Sequence, residues 1–514
     1  MPLARFRYRI SHVVFSVVFT ALLFIVCNAL NLGKITQWFH HQESFDYSAI
    51  VAYLFAGWCL FLAVFMLLAH RLTIKLFAIL LTICSGAVTY FIGKYNVAID
   101  TSMVRNAIHT DAVEVNQLLS VQMIPYVLFL IVLPVIAILL ADITFERPGR
   151  YLLTSLKVFA IAFVAALGSL YLEYHAIFRA GNISNKYIVY SLVPINIISS
   201  TVNVATKELK PLFSRKQKDI QFSSRVTAPG NLVVVLAVGE SSRRKNFSLY
   251  GYKRRDTNPE LEKIEGLHLL DGTATRGSTL YALPKILEKD DIKLTTVVSR
   301  AGVPTACYVN YTLYDNCQAV GEKKNDHCAH GANCYDEDVI PLLKQDLATY
   351  SSGYRFLVLH FGGGSHGPLY GDRHPPEFLK FKPTCNDADV ANKCTLDELY
   401  NSYDNTILYV DHVVAQAIHA LEDSHVPYVF VYLSDHGESL LENGMMFHGV
   451  PPGVSLPAEQ AEIPMIVKSS VPISIVPRAD YGQPELFDSV LDLFSIEAAK
   501  FDKAGSFIKK APAN

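Results

Sequence analysis

Five apolar stretches, at residues 12 to 32, 48 to 69, 76 to 93, 123 to 141 and 152 to 172, decide what this chain can fold into. Each meets or nearly meets the ~20 residues that an α-helix needs to cross a ~30 Å hydrocarbon layer. Inside lipid every backbone polar group has to be paired within its own segment, so five transmembrane helices are expected. The competing reading of the first stretch is a cleavable signal peptide, since Arg5, Arg7 and Arg9 precede it. The run is longer than the usual apolar region of a signal, and no small-residue cleavage site follows it, so it is taken as a retained span.

Cationic residues near the segment ends set the orientation. Arg5, Arg7 and Arg9 precede the first span, Arg71 and Lys75 lie in the second connection, and Arg147 and Arg150 lie in the fourth. The other two connections carry Lys34, and Lys94 with Arg105 over a longer stretch. The positive-inside rule therefore puts the N-terminus in the cytoplasm, and an odd number of spans delivers everything after residue 175 to the opposite side. Residues 176 to 217, moderately apolar and then basic, are expected to form a bridging linker with helices at the membrane surface, leaving 218 to 514 as a soluble domain.

Nine cysteines bear on the compartment. Cys27, Cys59 and Cys84 lie within spans, as small apolar fillers. The other six form close sequential couples, Cys307 with Cys317, Cys328 with Cys334 and Cys385 with Cys394, in loop-like surroundings. Three local disulfides and an oxidising compartment such as a bacterial periplasm follow. A zinc site built from Cys328, Cys334 and neighbouring histidines is the competing reading.

From about residue 229 onward, short apolar runs alternate with helical stretches, the pattern of buried parallel strands in an α/β domain. The strands are expected at 231–238, 293–298, 354–361, 427–434 and 464–469, and helices near 396–421 and 485–499. Chemistry-bearing residues stand just past the strand ends: Glu240 after the first run, His366 in "HFGGGSHG" after the third, and Asp435 with His436 after the fourth. Residues beyond the carboxyl ends of different strands converge on one crevice in an open α/β sheet. Two carboxylates and an imidazole suit Zn²⁺, whose three protein ligands leave a fourth position open. A polar loop capping the next helix is the plainer alternative for "SDHGES".

At these residues the sequence resembles the inner-membrane phosphoethanolamine transferases that decorate bacterial lipopolysaccharide, whose soluble domain has the alkaline-phosphatase and sulfatase fold. The resemblance rests on "VGESSRRKNFSLYGYKRRDTNPEL" (238–261), "GSHGP" (364–368), "FKPTC" (381–385), "NSYDNTILYVD" (401–411) and "LSDHGESLLENGMMFHGVP" (433–451). It implies a zinc-dependent transfer through a covalent phosphothreonine, with phosphatidylethanolamine as donor, diacylglycerol as leaving group, and lipid A or a core sugar of lipopolysaccharide as acceptor. Thr279 in "GSTLYALP" aligns with the nucleophile, next to a second hydroxyl at Ser278. Glu240, Asp435, His436 and Thr279 would hold the metal. His366 and His448, each followed by glycine, would contact the phosphate, hold a second metal or serve as acid and base.

The family also uses an Asn, a Thr and a Glu at four-residue spacing to bind the ethanolamine headgroup. Asn106, Thr110 and Glu114 have that spacing, which on a helix puts them on one face. Taken by itself the trio is an ordinary solvated face. Two departures stand out: relatives carry cysteines flanking the nucleophile segment where this chain has Thr275 and Lys285, and the loop 303–310 lacks the family's Lys and Ser.

Composition closes off other classes. Hydrophobic residues make up 51% of the 514 and charged residues 18%, with a net charge of -2. There is no global basic field to attract nucleic acid. No C/S-x-P-x-R segment supplies a sulfatase formylglycine, and an intact set of Glu240, Thr279, Asp435 and His436 argues against a non-catalytic sensor. A phosphoglycerol transferase is the nearest alternative. A monomer working in the bilayer is expected.

Overall fold

The computed structural model describes residues 8–37, 39–41, 44–95, 99–109, 121–183, 187–213, 223–325, 334–387, 389–450, 455–498 and 501–511. The chain forms two compact units, Met1–Phe213 with Pro451–Ser455, and Ser214–Val450 with Leu456–Asn514.

Among the described residues of the first unit, five helices are long and apolar enough to cross a membrane: α1 (His12–Ala29), α2 (Tyr47–Leu68), α3 (Ile74–Tyr95), α5 (Met123–Leu140) and α6 (Pro148–Leu172). Between α3 and α5 lies the short α4 (Thr101–His109), and α7 (Tyr174–Ile183) and α8 (Ile195–Phe213) follow α6. Ser11 opens α1 by accepting from the Val14 N–H. Ala56, Cys59 and Ala63 of α2 pack against Ala162 and Ala166 of α6, small side chains that let two helices approach closely in lipid. Cys27 and Cys59 are buried as thiols, whereas Cys84 is exposed. Of the headgroup trio, Asn106 falls on α4, where only its backbone is described. Thr110 and Glu114 lie outside the described residues.

The second unit is built on one mixed sheet of eight strands: β1 (Leu232–Gly239), β2 (His268–Thr273), β3 (Thr305–Val309), β4 (Glu322–Lys323), β5 (Tyr354–Phe361), β6 (Tyr428–Ser434), β7 (Glu462–Ser469) and β8 (Tyr481–Gly482). Their order across the sheet is β4-β3-β5-β1-β6-β7-β2-β8. The strands from β4 to β6 run parallel, β7 is antiparallel to both its neighbours, and β8 is parallel to β2. Every residue of β1 is buried, because helices cover both faces. On one face Leu232, Val234, Leu236 and Val238 meet α9 (Thr279–Leu287), α10 (Leu294–Arg300) and α13 (Glu485–Leu493). On the other, Val233, Val235 and Ala237 meet α11 (Ile340–Thr349) and α12 (Leu396–Asp423). Thr395 starts α12 with a reciprocal cap, its hydroxyl accepting from the Glu398 N–H while Glu398 accepts from the Thr395 N–H.

Three local expectations need correction. The run 293–298 is not a strand but the helix α10. Its buried Leu294, Val297 and Val298 recur at helical spacing, and a short apolar run does not by itself separate the two states. The stretch 303–310, expected as a loop, contains β3. The last helix stops at Leu493 rather than near 499. Ser495 takes a left-handed φ of 52°, and Ile496–Ala498 then pairs antiparallel with Ser224–Val226.

Cys307–Cys317 and Cys385–Cys394 are disulfides. Cys334 is also disulfide-bonded. Its expected partner, Cys328, lies outside the described residues.

Candidate active site

Three adjacent parallel strands end level with one another. Gly239 of β1 lies opposite Phe361 of β5 and Ser434 of β6, so the next residues of each strand leave the sheet on the same edge. From β1 comes Glu240, from β5 the glycine loop leading to His366, and from β6 the pair Asp435 and His436.

Each carboxylate and imidazole is aimed by its backbone. Ser241 adopts a left-handed φ of 55°, and its N–H donates to Oδ1 of Asp435 across 3.0 Å. The N–H of His436 donates to the same oxygen across 2.8 Å. Oδ2 of Asp435, buried, has no hydrogen-bond partner among the described residues. His436 Nδ1 lies 3.0 Å from the Gly437 carbonyl, which makes it the protonated nitrogen and leaves Nε2 free to accept. That Nε2 lies 3.5 Å from Oε1 of Glu240 and 3.3 Å from Oδ2 of Asp435. One ligand atom from each of Glu240, Asp435 and His436 falls within 4.8 Å of the others.

Thr279 is the first residue of α9, whose buried Leu283, Ile286 and Leu287 anchor it to the core. Its hydroxyl donates to Oε2 of Glu240 across 2.8 Å and lies 3.4 Å from His436 Nε2. Thus Glu240, Thr279, Asp435 and His436, spread over nearly 200 residues, occupy one site.

Burial, then the charge of Asp435, pushes the Glu240 carboxyl up to about 7. Burial raises Asp435 to about 6 and lowers His436 to about 4. Two buried carboxylates beside a neutral imidazole, with one carboxylate oxygen unpartnered among the described residues, form a pocket that a divalent cation fits.

His366 and His448 stand beside this set, their rings 4.8 Å apart, with His448 4.3 Å from the His436 ring. Bonded to His448 is Glu438, a fully buried carboxylate that accepts from the Gly367 N–H (3.0 Å), the Tyr370 hydroxyl (2.9 Å) and His448 Nδ1 (3.1 Å). Although burial opposes ionisation of both, the Glu438–His448 hydrogen bond holds the carboxyl down at about 2 and the imidazole up at about 9. Burial and the neighbouring cations lower His366 to about 3. The two histidines therefore differ in charge at neutral pH.

The glycine loop is tied down one N–H at a time. Asn310 Oδ1 accepts from Gly362, the two oxygens of Asp336 accept from Gly363 and Gly364, and the Ser365 N–H donates to the Glu240 carbonyl. On the other side of Glu240, the Tyr403 hydroxyl donates to the Ser241 carbonyl and accepts from the Arg243 N–H. Sequence reasoning assigned no role to Glu438, Asp336 or Tyr403. Glu438 stands inside "SDHGES" and Tyr403 inside "NSYDNTILYVD", strings that carry the resemblance without giving either residue a role, whereas nothing in the local sequence marks Asp336.

A family model described as phosphoethanolamine transferase EptA/EptB matches residues 57–209, and a sulfatase model matches residues 232–496. Phosphoethanolamine transferase EptA of Escherichia coli K12 is 32% identical, over 84% of each chain. Phosphatidylethanolamine transferase Mcr-1 of Escherichia coli is 28% identical over 98% of each. Among solved structures, the integral membrane lipooligosaccharide phosphoethanolamine transferase EptA of Neisseria meningitidis superposes with a TM-score of 0.85, at 26% identity, over 97% of this chain and 98% of that one. A five-helix membrane unit, a sulfatase-like α/β unit and this degree of identity together lead to one assignment: the chain belongs to the EptA family of phosphoethanolamine transferases.

Proposed function

We propose that this protein moves phosphoethanolamine from phosphatidylethanolamine to lipopolysaccharide, on lipid A or a core sugar, through a covalent adduct on Thr279. The observation that carries the reading is the Thr279 hydroxyl, hydrogen-bonded to Glu240 at the open side of a set that offers three ligands to a cation. The donor finds support in Mcr-1, a relative named as a phosphatidylethanolamine transferase. The acceptor is supported by the lipooligosaccharide named for the Neisseria enzyme.

Glu240, Asp435 and His436 would hold zinc, with Thr279 at the fourth position. Bound there, the ion supplies Lewis-acid activation of a hydroxyl that is otherwise a poor nucleophile. In the first displacement Thr279 Oγ1 forms a bond to phosphorus, its proton leaving along the hydrogen bond to Glu240, while the bond from phosphorus to the diacylglycerol oxygen breaks. His448, held cationic by Glu438, protonates that departing oxygen. In the second displacement His448, now neutral, takes the proton of the acceptor hydroxyl as the acceptor oxygen attacks the same phosphorus, and Thr279 leaves and recovers its proton from Glu240, so both groups return to their starting states. His366, neutral, serves as a phosphate contact or base. The N-terminus of α9 favours the negative charge that collects at Thr279. Asn106, Thr110 and Glu114 would receive the ethanolamine group, a carboxylate being the natural partner of an ammonium. The enzyme would lie in a bacterial inner membrane with its N-terminus cytoplasmic and its catalytic domain periplasmic, acting as a monomer.

Mass spectrometry of lipopolysaccharide from cells expressing the protein should find an added phosphoethanolamine that disappears with Thr279→Ala. Persistence of the increment would remove Thr279 as nucleophile. An increment of phosphoglycerol instead would change the donor.

A further inference from the structure

The side chain of Gln483 ties the segment before Thr279 to the strand end that carries Asp435. Gln483 is fully buried, in the turn between β8 and α13. Its Oε1 accepts from the N–H of Thr275, four residues before Thr279, across 3.2 Å. Its Nε2 donates to the carbonyl of Asp435 across 2.5 Å and to that of Ser434 across 3.3 Å. A primary amide offers a donor and an acceptor on one rigid plane. Here the donor reaches β6 and the acceptor reaches the approach to α9.

The rest of this segment is anchored at other points. The Ala274 N–H donates to the Ala461 carbonyl, which fixes the segment at the end of β2. Gly277, two residues before Thr279, lies directly over the side chain of Gln460, where an added Cβ would sit 2.8 Å from Oε1. The amide nitrogen of Gln460 is directed away, to Ser439 Oγ and the Phe447 carbonyl. Cys307 and Cys317 are joined to each other, and no disulfide among the described residues crosses from the Thr279 segment to β6.

We infer that Gln483 is a positioning residue for the transfer: its amide sets the separation between the Thr279 hydroxyl and the Asp435–His436 pair. This inference rests on Thr279 being the nucleophile. A displacement of about 1 Å in a reacting group costs roughly 10²-fold in rate. Loss of the amide should therefore act on the rate of transfer and leave the affinity for the donor alone, since Gln483 has no described contact with the site's open side.

The test compares Gln483→Met, similar in length without the amide, Gln483→Glu, which keeps the acceptor for Thr275, and Thr279→Ala, all in the full chain. The probe is phosphatidylethanolamine with a fluorescent acyl chain, and kcat and KM are normalised to folded protein. Zinc per chain and the melting temperature are measured alongside. We expect Gln483→Met to lower kcat by about 10- to 100-fold, in line with that misplacement cost, with KM within about twofold and zinc content unchanged; Gln483→Glu, whose second oxygen faces the two carbonyls in place of the donor, should lower kcat at least as much. An unchanged kcat in Gln483→Met, or a loss that appears in KM or zinc content rather than in kcat, overturns the positioning role. If Gln483→Met does not fold, Gln483→Glu decides alone, and an unchanged kcat in it overturns the inference. Activity retained in Thr279→Ala would instead sink the nucleophile assignment, a separate result from the Gln483 arm.

Discussion

The hydroxyl of Thr279 donates to Glu240 across 2.8 Å, although 39 residues separate them in the chain. The contact joins the start of α9 to the end of β1, two elements on which the hydrophobic core is already pinned, so the hydroxyl is held without a covalent cross-link. Replacing Thr279 by Ser keeps Oγ and loses only a methyl; transfer should stay within about tenfold of wild type. Thr279→Val keeps the shape and removes the oxygen, and should cost on the order of 10³-fold or more, as loss of a nucleophile does. Steady-state cleavage of phosphatidylethanolamine by the two variants checks this.

The buried carboxylates make metal binding and stability depend on pH in opposite directions. Without a cation, Glu240 titrates at about 7 and Asp435 at about 6, both raised by burial above their unfolded values near 4. Between those values the native state binds more protons than the unfolded state, so stability falls as pH rises. For Glu240 alone the shift corresponds to about 3 kcal/mol, fully lost above its native pKa. Chelator-treated protein should therefore melt at a lower temperature at pH 8 than at pH 5.5. Metal must displace those protons, so zinc affinity should weaken as pH falls through 7 and 6. Calorimetric titration of zinc at several pH values, with parallel melting curves, measures both; a metal-free protein whose melting rises with pH would contradict the assignment.

Glu438 keeps His448 charged, and that dependence is testable. The imidazole reaches about 9 through the hydrogen bond and charge of Glu438, against the opposing effect of burial. Its proton is thus present across neutral pH and lost only as pH rises through that value. Glu438→Gln keeps the contacts from Gly367 and Tyr370 possible through the amide oxygen while removing the charge. The alkaline limb of the kcat/KM profile should move to lower pH in this variant. An unmoved limb would mean that His448 is not the proton donor.

Which of these features a sequence discloses depends on whether the deciding interaction is local. The five spans follow from length and apolarity alone, and the expected and observed segments differ by only a few residues at their ends. Glu240, Asp435 and His436 were legible because strands of a parallel sheet must end on one edge, whatever the intervening chain does. The stretch 293–298 was not legible: β-branched Thr295, Val297 and Val298 favour a strand, and only the packing of α10 under the sheet, with Thr295 Oγ1 bonded to the Asn316 carbonyl, decides for helix. Tyr403, Asp336 and Gln483 bond backbone groups tens to hundreds of residues away; Asp336 and Gln483 have ordinary polar neighbourhoods, and the string that holds Tyr403 does not disclose which backbone it reaches.

Gly364 carries the most demanding backbone position beside the site. Its φ is +41°, and a Cβ built there would fall 2.2 Å from the carbonyl oxygen of Glu240. That oxygen accepts the Ser365 N–H, and both oxygens of Asp336 are occupied by the Gly363 and Gly364 amides, so the loop cannot shift to make room without breaking a bond at one end or the other. Gly364→Ala combines this clash with a left-handed conformation that costs an L-residue about 1 kcal/mol or more. Relief of the clash has to come from movement of Glu240, a ligand in the proposed metal set, or of the loop that delivers His366. We expect a lower melting temperature together with weakened zinc binding. Gly371→Ala, where a Cβ meets nothing within 4 Å, should change neither. Zinc affinity and melting temperature of the two variants, measured side by side, separate a local disturbance of the site from a general loss of loop flexibility; equal behaviour of the two would show that the close approach of Gly364 to Glu240 does not govern the site.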